Sequence, residues 1–362
     1  MSLLDRMSVR VAQSLDPETA HNAAVAMLRT LPFGAPPAPL PRLAQLVAGL
    51  DFANPVGLAA GFDKNAEVPD ALLARGFGFV EVGTITPRPQ AGNARPRLFR
   101  LTAEHALINR FGFNNDGVEI CRGRLLARGR RGIVGVNIGA NKDSDNRIDD
   151  YVIGIEYLLP VADYFTVNIS SPNTPGLRSL QSADALGELV SAVMEARATH
   201  GAPIGRRPPI FVKIAPDLTD AELDAIAEVA ISSGVDGLIV SNTTLGRPVA
   251  QTAPHRGEAG GLSGAPLFER STIILARMRQ RVGPAMVLIG VGGIDSAESA
   301  LAKIEAGAHL VQLYSAMAFN GLGLASRIVR DLDALCAARG ISHISSLRGT
   351  QSEQWASRPL KD

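Results

Sequence analysis

The stretch 168–178 concentrates residues that can do chemistry, because amides, hydroxyls and two prolines directly follow an apolar run. That run, residues 164–167, predicts a buried strand. Pro172 and Pro175 lack an N–H and bias the residue before each away from the helical region, so we expect an extended loop after the strand. Polar side chains at the carboxyl end of a parallel strand occupy the position where α/β proteins bind ligands.

Two lysines stand at the ends of other predicted strands, Lys64 after the first and Lys213 in the fifth. A buried ammonium must lose its proton, pair with a carboxylate or face an anion. Taken singly, a lysine can be salt-bridged and an asparagine can simply satisfy a loop. Five amides on the same predicted face instead favour a planar anion that is rich in hydrogen-bonding groups. These amides are Asn109, Asn137, Asn168, Asn173 and Asn242.

Glycines near the last two predicted strands indicate a phosphate site. The sequence GVGGID at 290–295 lets backbone N–H groups approach a phosphate, and Ser296 can cap the next helix. Tyr314 and Ser315 end the eighth strand, and barrels often bind phosphate between these two loops. The segment 260–264 offers a further backbone patch. No strict GxGxxG follows a strand, which disfavours a dinucleotide-binding sheet.

Short apolar runs alternate with helical patterns after residue 41, which predicts repeated βα units and a (β/α)₈ TIM barrel. A doubly wound sheet is the alternative, but it usually has fewer strands and one topological switch point. The predicted strands are 56–60, 79–82, 134–138, 164–168, 210–214, 237–241, 286–290 and 310–314. The predicted helices between them are 66–74, 149–159, 183–199, 220–232, 267–281 and 297–306.

The chain divides into three predicted parts. Residues 1–41 form a small helical extension, with helices at 3–15 and after Asp16, followed by a proline-rich linker. These helices either cap the main domain or reach into lipid at the mouth of a tunnel. Residues 42–336 form the barrel. Residues 337–362 are rich in Ser and Arg, and we expect a polar, partly disordered tail without an assigned role.

Composition excludes several classes of protein. Lys and Arg number 36 against 35 Asp and Glu, so the basic excess that nucleic-acid binding needs is missing. Cys121 and Cys336 lie far apart without CxxC spacing, which supports neither a metal site nor a disulfide framework and favours a reducing compartment. The chain has neither a signal-peptide pattern nor a charge-free apolar run of about 18 residues, so we expect it to touch a membrane without crossing it.

The chain resembles the class 2 dihydroorotate dehydrogenases, which are FMN-dependent, quinone-reducing enzymes of pyrimidine (UMP) biosynthesis. The resemblance runs from about residue 15 to residue 329, through long motifs in the family's order. The matching segments are 15–21, 57–64, 83–90, 96–101, 108–115, 168–178, 212–218, 241–244, 260–264 and 289–296.

The resemblance implies FMN as cofactor and assigns its contacts position by position. The implied FMN-binding residues are Ala60, Gly61, Thr84, Asn137, Asn168, Lys213, Ser241, Gly264, Gly293, Tyr314 and Ser315. Four of these, Gly264, Gly293, Tyr314 and Ser315, would surround the phosphate. Ser241 departs from the family's usual threonine, which is tolerable if the contact is through the backbone.

The resemblance also implies a site for dihydroorotate, with Lys64 at its carboxylate. The implied substrate-binding residues are Lys64, Asn109, Arg110, Phe111, Gly112, Phe113, Asn168, Asn173, Asn242 and Thr243. Ser171 occupies the position of the catalytic base, where class 1 relatives have cysteine. A serine hydroxyl is a weak base at neutral pH, so a water relay near Thr174 and Phe113 is expected to carry the proton.

His21, Arg100 and Tyr314 match positions that line the family's quinone tunnel. The expected location is therefore the cytoplasmic side of the cell inner membrane, with peripheral contact through the N-terminal helices. Two alternatives stay open: an FMN barrel acting on uracil-like rings, perhaps in RNA, and an inactive barrel that senses a ligand. The neutral charge balance and Ser171 count against the first, and the retention of both lysines counts against the second.

Overall fold

A computed structural model describes residues 3–129, 131–174 and 176–360, without the side chains of residues 3–8. Pro175, whose effect on the loop was predicted, lies outside the described residues. The chain begins with helices α1 (Leu3–Ser14) and α2 (Pro17–Thr30), and a hairpin of β1 (Gln45–Val47) and β2 (Leu50–Phe52) follows. The Asp16 carboxylate accepts the N–H of Thr19, so it caps α2 as predicted.

The strands after the hairpin are β3 (Val56–Leu58), β4 (Phe79–Ile85), β5 (Leu98–Leu101), β6 (Ala106–Asn109), β7 (Ile133–Ile138), β8 (Tyr164–Asn168), β9 (Ile210–Ile214), β10 (Gly237–Val240), β11 (Gly261–Gly264), β12 (Val287–Val291) and β13 (Leu310–Leu313). Eight of them are parallel and close into a barrel in the order β10-β12-β13-β3-β4-β7-β8-β9. The predicted (β/α)₈ barrel is therefore confirmed.

Helices pack around the outside of the barrel and bury its largest apolar cluster. They are α3 (Pro69–Leu73), α4 (Val118–Ala127), α5 (Arg147–Leu158), α6 (Ala183–Gly201), α7 (Asp220–Ser233), α8 (Phe268–Val282), α9 (Ala297–Glu305), α10 (Met317–Asn320), α11 (Leu324–Ala338) and α12 (Ser352–Ala356). Short 3₁₀ helices lie at Leu177–Gln181, Ala202–Ile204, Ala265–Leu267 and Ile344–Leu347. No helix among the described residues is both long and apolar enough to cross a bilayer.

The two ends of the barrel differ in chemistry. At the amino end, Val47 and Phe52 of the hairpin pack with Phe79, Tyr164 and Phe211 into a second apolar cluster. At the carboxyl end, β5, β6 and β11 form an antiparallel sheet that the sequence did not predict. The amino end of the barrel is thus closed by apolar packing, while a separate sheet covers the carboxyl end.

The C-terminal segment was predicted to be partly disordered, and this prediction is wrong for the part that the structure describes. Trp355 of α12 is 7% exposed and its ring packs edge-on against Phe268, with 6.0 Å between ring centroids. Arg277 on α8 donates to the carbonyls of Ala356 and Arg358. Ile344 is fully buried. A few apolar anchors in a polar stretch are therefore enough to fix it against the barrel.

Candidate active site

A cavity opens at the carboxyl end of the barrel strands, beneath the antiparallel sheet. It contains about 1290 Å³ of space free of protein atoms, including its mouth. Its walls combine glycine-rich loops with amide, hydroxyl and ammonium groups.

The bottom of the cavity rests on what we call the floor network, formed by Glu81, Thr84, Asn137, Asn168 and Lys213. The Thr84 hydroxyl donates to Asn137 Oδ1 at 2.6 Å, and Asn168 Nδ2 donates to both of these oxygens at 3.1 and 3.2 Å. Asn137 Nδ2 in turn donates to the Glu81 carboxylate at 2.8 Å. All five residues are buried and lie on strands β4, β7, β8 and β9, so the barrel backbone sets their positions.

Glu81 is fully buried inside the barrel, where its carboxylate is surrounded by donors. One oxygen accepts from Asn137, and the other accepts from the side chains of Tyr164, Thr166 and Gln312 at 2.8–3.1 Å. These hydrogen bonds compensate for the hydrogen bonds to water that the carboxylate loses when it is buried. Glu81 was not predicted as a functional residue, although a charged residue inside an apolar strand is a visible signal in the sequence.

Lys213 brings a positive charge to the cavity wall. Burial lowers the pKa of its ammonium, and the negative charge of Glu81 opposes that shift. No side chain among the described residues is hydrogen-bonded to this ammonium. Lys213 is therefore available to an acceptor in the cavity.

The loop after β8 carries the residues that first indicated a site. Ser171 is buried, and its Oγ accepts the N–H of Asn173 at 3.2 Å, which leaves the hydroxyl proton free to turn toward the cavity. Asn173 Nδ2 donates to Asn109 Oδ1 at 3.3 Å. Asn242 Nδ2 donates to Asn168 Oδ1 at 3.3 Å. The structure thus brings amides from three separated segments to one wall.

A second group, the rim cluster, lies where α2 meets the barrel and comprises Glu18, His21, Lys64, Arg97 and Tyr314. Lys64 Nζ is 3.3 Å from His21 Nε2 and 4.3 Å from the Phe111 ring centroid, while Tyr314 Oη is 3.4 Å from His21 Nδ1. Burial lowers the pKa of Lys64 to about 8. Burial, with Lys64 nearby, holds the pKa of His21 well below its usual value.

Glu18 and Arg97 tie α2 to the barrel beside this cluster. Arg97 Nη2 donates to Glu18 Oε1 at 2.9 Å, and Arg97 also donates to the carbonyls of Ala91 and Asn93. Burial would raise the pKa of Glu18, but the Arg97 hydrogen bond and positive charge hold it below its usual value. The helical extension is therefore fixed to the cavity mouth by a buried ion pair.

The end of the cavity between β12 and β13 is built from backbone. Gly264, Gly293 and Ser315 line it, and Ser315 Oγ donates to Ser263 Oγ at 2.8 Å. No described residue accepts the N–H of Gly293 or Ser315. Gly293 has φ +74°, and a Cβ there would lie 2.4 Å from Phe268 Cβ, so only glycine fits. Free N–H groups at a tight glycine turn form an anion site.

Most of the predicted site residues line this single cavity, and four do not. Asn137 lies beneath it in the floor network. The Arg110 guanidinium turns away to Glu258, at 2.7 Å, and over the Phe99 ring. Arg100 donates to the carbonyls of Ala12, Gln13 and Leu15 at the end of α1, and His21 stands behind Tyr314. The lining residues are Ala60, Gly61, Lys64, Thr84, Asn109, Phe111, Gly112, Phe113, Asn168, Ser171, Asn173, Lys213, Ser241, Asn242, Thr243, Gly264, Gly293, Tyr314 and Ser315.

Buried polar atoms without partners test whether an FMN-like group fits. Asn114 Oδ1 and Gln312 Oε1 belong to lining residues, are buried and have no hydrogen-bond partner among the described residues. Together with the Lys213 ammonium and the backbone anion site, these atoms match a ligand that has a ring with amide groups at one end and a phosphate at the other. The residues present therefore fit a flavin nucleotide. Asn114 and Gln312 were not among the predicted residues.

The sequence comparisons agree with this geometry. The profile of the family described as "Dihydroorotate dehydrogenase" matches residues 42–336. The chain is 56% identical over 361 residues to the "Dihydroorotate dehydrogenase (quinone)" of Brucella anthropi, with 99% of each chain covered. It is 58% identical over 348 residues to the protein of the same name from Agrobacterium fabrum, with 96% of each covered. The resemblance inferred from the motifs is thus confirmed.

Solved structures give the same result. A crystal structure of DHODH from Eimeria tenella in complex with ferulenol matches with a TM-score of 0.87 and 41% identity, covering 93% of this chain and 96% of that chain. The ligand-free form from the same organism also matches with a TM-score of 0.87, covering 95% and 100%. Because both the family profile and full-length relatives match, this chain belongs to the dihydroorotate dehydrogenase family of oxidoreductases.

Proposed function

We propose that the chain oxidises (S)-dihydroorotate to orotate, with FMN as hydride acceptor and a membrane quinone as final acceptor, in UMP biosynthesis. The observation that carries the proposal is the convergence of the buried Lys213, the half-buried Lys64, Ser171 and a set of amides on one cavity. A cyclic substrate with a carboxylate and ring amides would use all of these groups. The relatives that bear the name "Dihydroorotate dehydrogenase (quinone)" support the choice of substrates.

FMN would lie with its phosphate against Gly264, Gly293, Tyr314 and Ser315. Its ring system would rest over the floor network, in reach of Lys213. The remaining ring and ribityl contacts would come from Ala60, Gly61, Thr84, Asn168 and Ser241, with Asn137 acting from below through Thr84 and Asn168. When bound, FMN supplies a reversible acceptor for a hydride from dihydroorotate and a donor of electrons to the quinone. The Lys213 ammonium would stabilise negative charge that develops there.

Dihydroorotate would be held by Lys64 at its carboxylate and by Asn109, Asn173, Asn242 and Thr243 at its ring amides. Thr243 Oγ1 is buried without a partner, so a substrate amide would satisfy it. Phe111, Gly112 and Phe113 would close one side of the substrate site. Excluding water in this way strengthens the polar contacts inside the cavity.

Ser171 would take the proton from C5 of the substrate. The N–H of Asn173 fixes the position of Ser171 Oγ. Neither a carboxylate nor an imidazole among the described residues is hydrogen-bonded to that oxygen, so the hydroxyl must pass its own proton to water. The buried Thr174 and the cavity-lining Phe113 stand along the expected relay.

Residues 1–41 would serve as the quinone-access segment of the 42–336 barrel. His21, Arg100 and Tyr314 would line the path, and Arg100 would fix its shape by holding the end of α1. Several apolar side chains nearby are exposed, including Val11 at 63%, Leu31 at 46% and Phe33 at 46%. They would contact the cytoplasmic face of the inner membrane without spanning it.

Steady-state oxidation of dihydroorotate with different acceptors tests this proposal. The purified, yellow protein should reduce a soluble quinone rapidly, and fumarate and NAD should support little turnover. A colourless protein that does not take up FMN, or one that prefers fumarate or NAD, would refute the assignment. Turnover of uracil-like rings in place of dihydroorotate would instead favour the other type of FMN barrel.

A further inference from the structure

Lys303 of α9 is buried behind the phosphate end of the cavity. Its side chain is fully inaccessible to solvent, its ammonium donates to Ser271 Oγ at 2.6 Å, and it lies 5.2 Å from the Phe268 ring centroid. No carboxylate among the described residues pairs with it. Lys303 is therefore a buried lysine without a counterion among the described residues.

Burying an ammonium group without a counterion destabilises the folded state. Burial alone holds the pKa of the Lys303 ammonium well below its usual value. Replacing a buried charged side chain by an apolar one of similar volume is often neutral or stabilising, so packing gives no reason for a lysine here. Ser271 lies at the amino end of α8, and the positive partial charge of that helix end further disfavours an ammonium group at Lys303. A lysine buried in this way either loses its proton or is compensated by an anion that binds nearby.

Ser271 connects Lys303 to the cavity wall. Its hydroxyl lies 2.8 Å from the Leu267 carbonyl and 3.2 Å from the carbonyls of Phe268 and Gly292. Because Ser271 Oγ accepts from Lys303, its single proton is left to be shared among these three carbonyls. The lysine thus orients a serine that lies between the start of α8 and the Gly292 carbonyl.

The other side of the same wall faces the cavity. Gly292, Gly293 and Leu267 line it, and the Gly293 N–H has no acceptor among the described residues. A Cβ on Gly292 would lie 2.6 Å from Ser271 Oγ, so the loop and the serine are in direct contact. Any group that fixes Ser271 therefore also fixes the loop that presents N–H groups to an anion.

We propose that Lys303 is a positioning residue for the phosphate of FMN, acting through Ser271 to hold the 292–293 turn and supplying a buried positive charge that the phosphate compensates. The inference rests on the proposed function for the identity of the anion. It assigns Lys303 to the phosphate end only, because none of its contacts reaches the floor network. Lys213, at the ring end, should contribute to binding of the flavin ring whether or not a phosphate is present.

Binding of FMN and riboflavin to the full-length chain, after removal of flavin, separates these roles. Lys303→Met should weaken FMN binding about 10- to 100-fold, the range expected for a hydrogen bond to a charged group, and leave riboflavin binding within about twofold. Ser271→Ala keeps the lysine and breaks the link, so it should show the same selectivity for FMN to a smaller degree. Lys213→Met is the matched control and should weaken both flavins by similar factors. Quenching of flavin fluorescence gives the dissociation constants.

Equal losses for FMN and riboflavin in Lys303→Met would reduce Lys303 to a packing role and overturn the proposal, and so would unchanged binding of both. If Lys303→Met does not fold, Ser271→Ala decides by the same criterion. A loss selective for FMN supports the proposal even if dihydroorotate fails to reduce the bound flavin. That second failure would overturn the proposed function alone.

Discussion

The floor network and the rim cluster lie at the same cavity but are built from different chemistry. The floor consists of amides, a hydroxyl, the Lys213 ammonium and a carboxylate that accepts four hydrogen bonds, all carried on four neighbouring barrel strands. The rim joins an imidazole, a phenol and a lysine whose pKa is about 8, and it depends on α2 for one side. The floor is thus preorganised by the barrel, whereas the rim can respond to pH and to the position of the N-terminal helices. We infer that the floor, together with Lys64 of the rim, serves oxidation of dihydroorotate, and that His21 and Tyr314 of the rim serve the quinone.

The largest effect is expected for the proton acceptor above the floor. Ser171→Ala should slow anaerobic reduction of the flavin by dihydroorotate by about 10²- to 10⁴-fold, because it removes the general base, while FMN stays bound. Reoxidation of chemically reduced enzyme by quinone should stay near the wild-type rate, since the rim is untouched. Stopped-flow absorbance of the flavin measures both steps.

Ser179→Ala is the control for this variant, because Ser179 follows the same loop and, among the described residues, its exposed hydroxyl bonds to the Gly176 carbonyl alone. It should behave like the wild type. Flavin reduction at a near-normal rate in Ser171→Ala would show that another group takes the proton.

The floor should also carry more of the folding stability than the rim. Glu81→Gln places an amide among donors that require an acceptor, so it should lower the free energy of unfolding by about 3 kcal/mol. Glu67→Gln, which loses an ion pair with the exposed Arg29, should cost less than about 1 kcal/mol. Denaturant titration of the two variants gives the difference. Similar small losses in both would mean that the floor is not the rigid element.

The rim should give substrate binding a pH dependence. Below pH 8 the Lys64 ammonium is charged and can bind a carboxylate, and above pH 8 it loses its proton because burial has lowered its pKa. The dissociation constant of orotate for oxidised enzyme should therefore rise about tenfold per pH unit above 8. Lys64→Arg keeps its charge throughout and should remove this break. A titration series from pH 6.5 to 9 tests the trend, and a flat wild-type profile would place the carboxylate elsewhere.

The smallest effect is expected at Arg110, outside both groups. The resemblance assigned it to the substrate, but its side chain pairs with Glu258 and stacks on Phe99. Arg110→Ala should change orotate affinity by less than about threefold and cost about 1 kcal/mol of stability. Calorimetric titration with orotate would detect a tenfold loss, which would contradict this placement.

The barrel was predictable because its strands are buried on both faces and end at polar residues. β8 (Tyr164–Asn168) and β9 (Ile210–Ile214) coincide with the predicted 164–168 and 210–214 for this reason. The sheet over the cavity was missed because β11 reads Gly-Leu-Ser-Gly, which has no strand-forming pattern. The C-terminal segment was misjudged because its order depends on contacts of Trp355 and Ile344 with distant parts of the chain.

The site, too, could be predicted only in part. The sequence identified Lys64, Lys213 and the strand-end amides one at a time, since each lies at the end of a predicted strand. Their supports could not be paired from sequence, because Glu18 and Arg97 are 79 residues apart and Lys303 and Ser271 are 32 apart. A charged residue inside an apolar strand or helix, as at Glu81 and Lys303, is the signal that would have indicated them.

The division between floor and rim is tested most directly by measuring both half-reactions in His21→Ala at saturating dihydroorotate. Flavin reduction should stay within about threefold of the wild type, while quinone-dependent reoxidation should slow by about tenfold or more. His200→Ala, at the far end of α6, serves as the control and should alter neither rate. An equal loss in the two half-reactions of His21→Ala would contradict the account, because His21 would then serve both substrates.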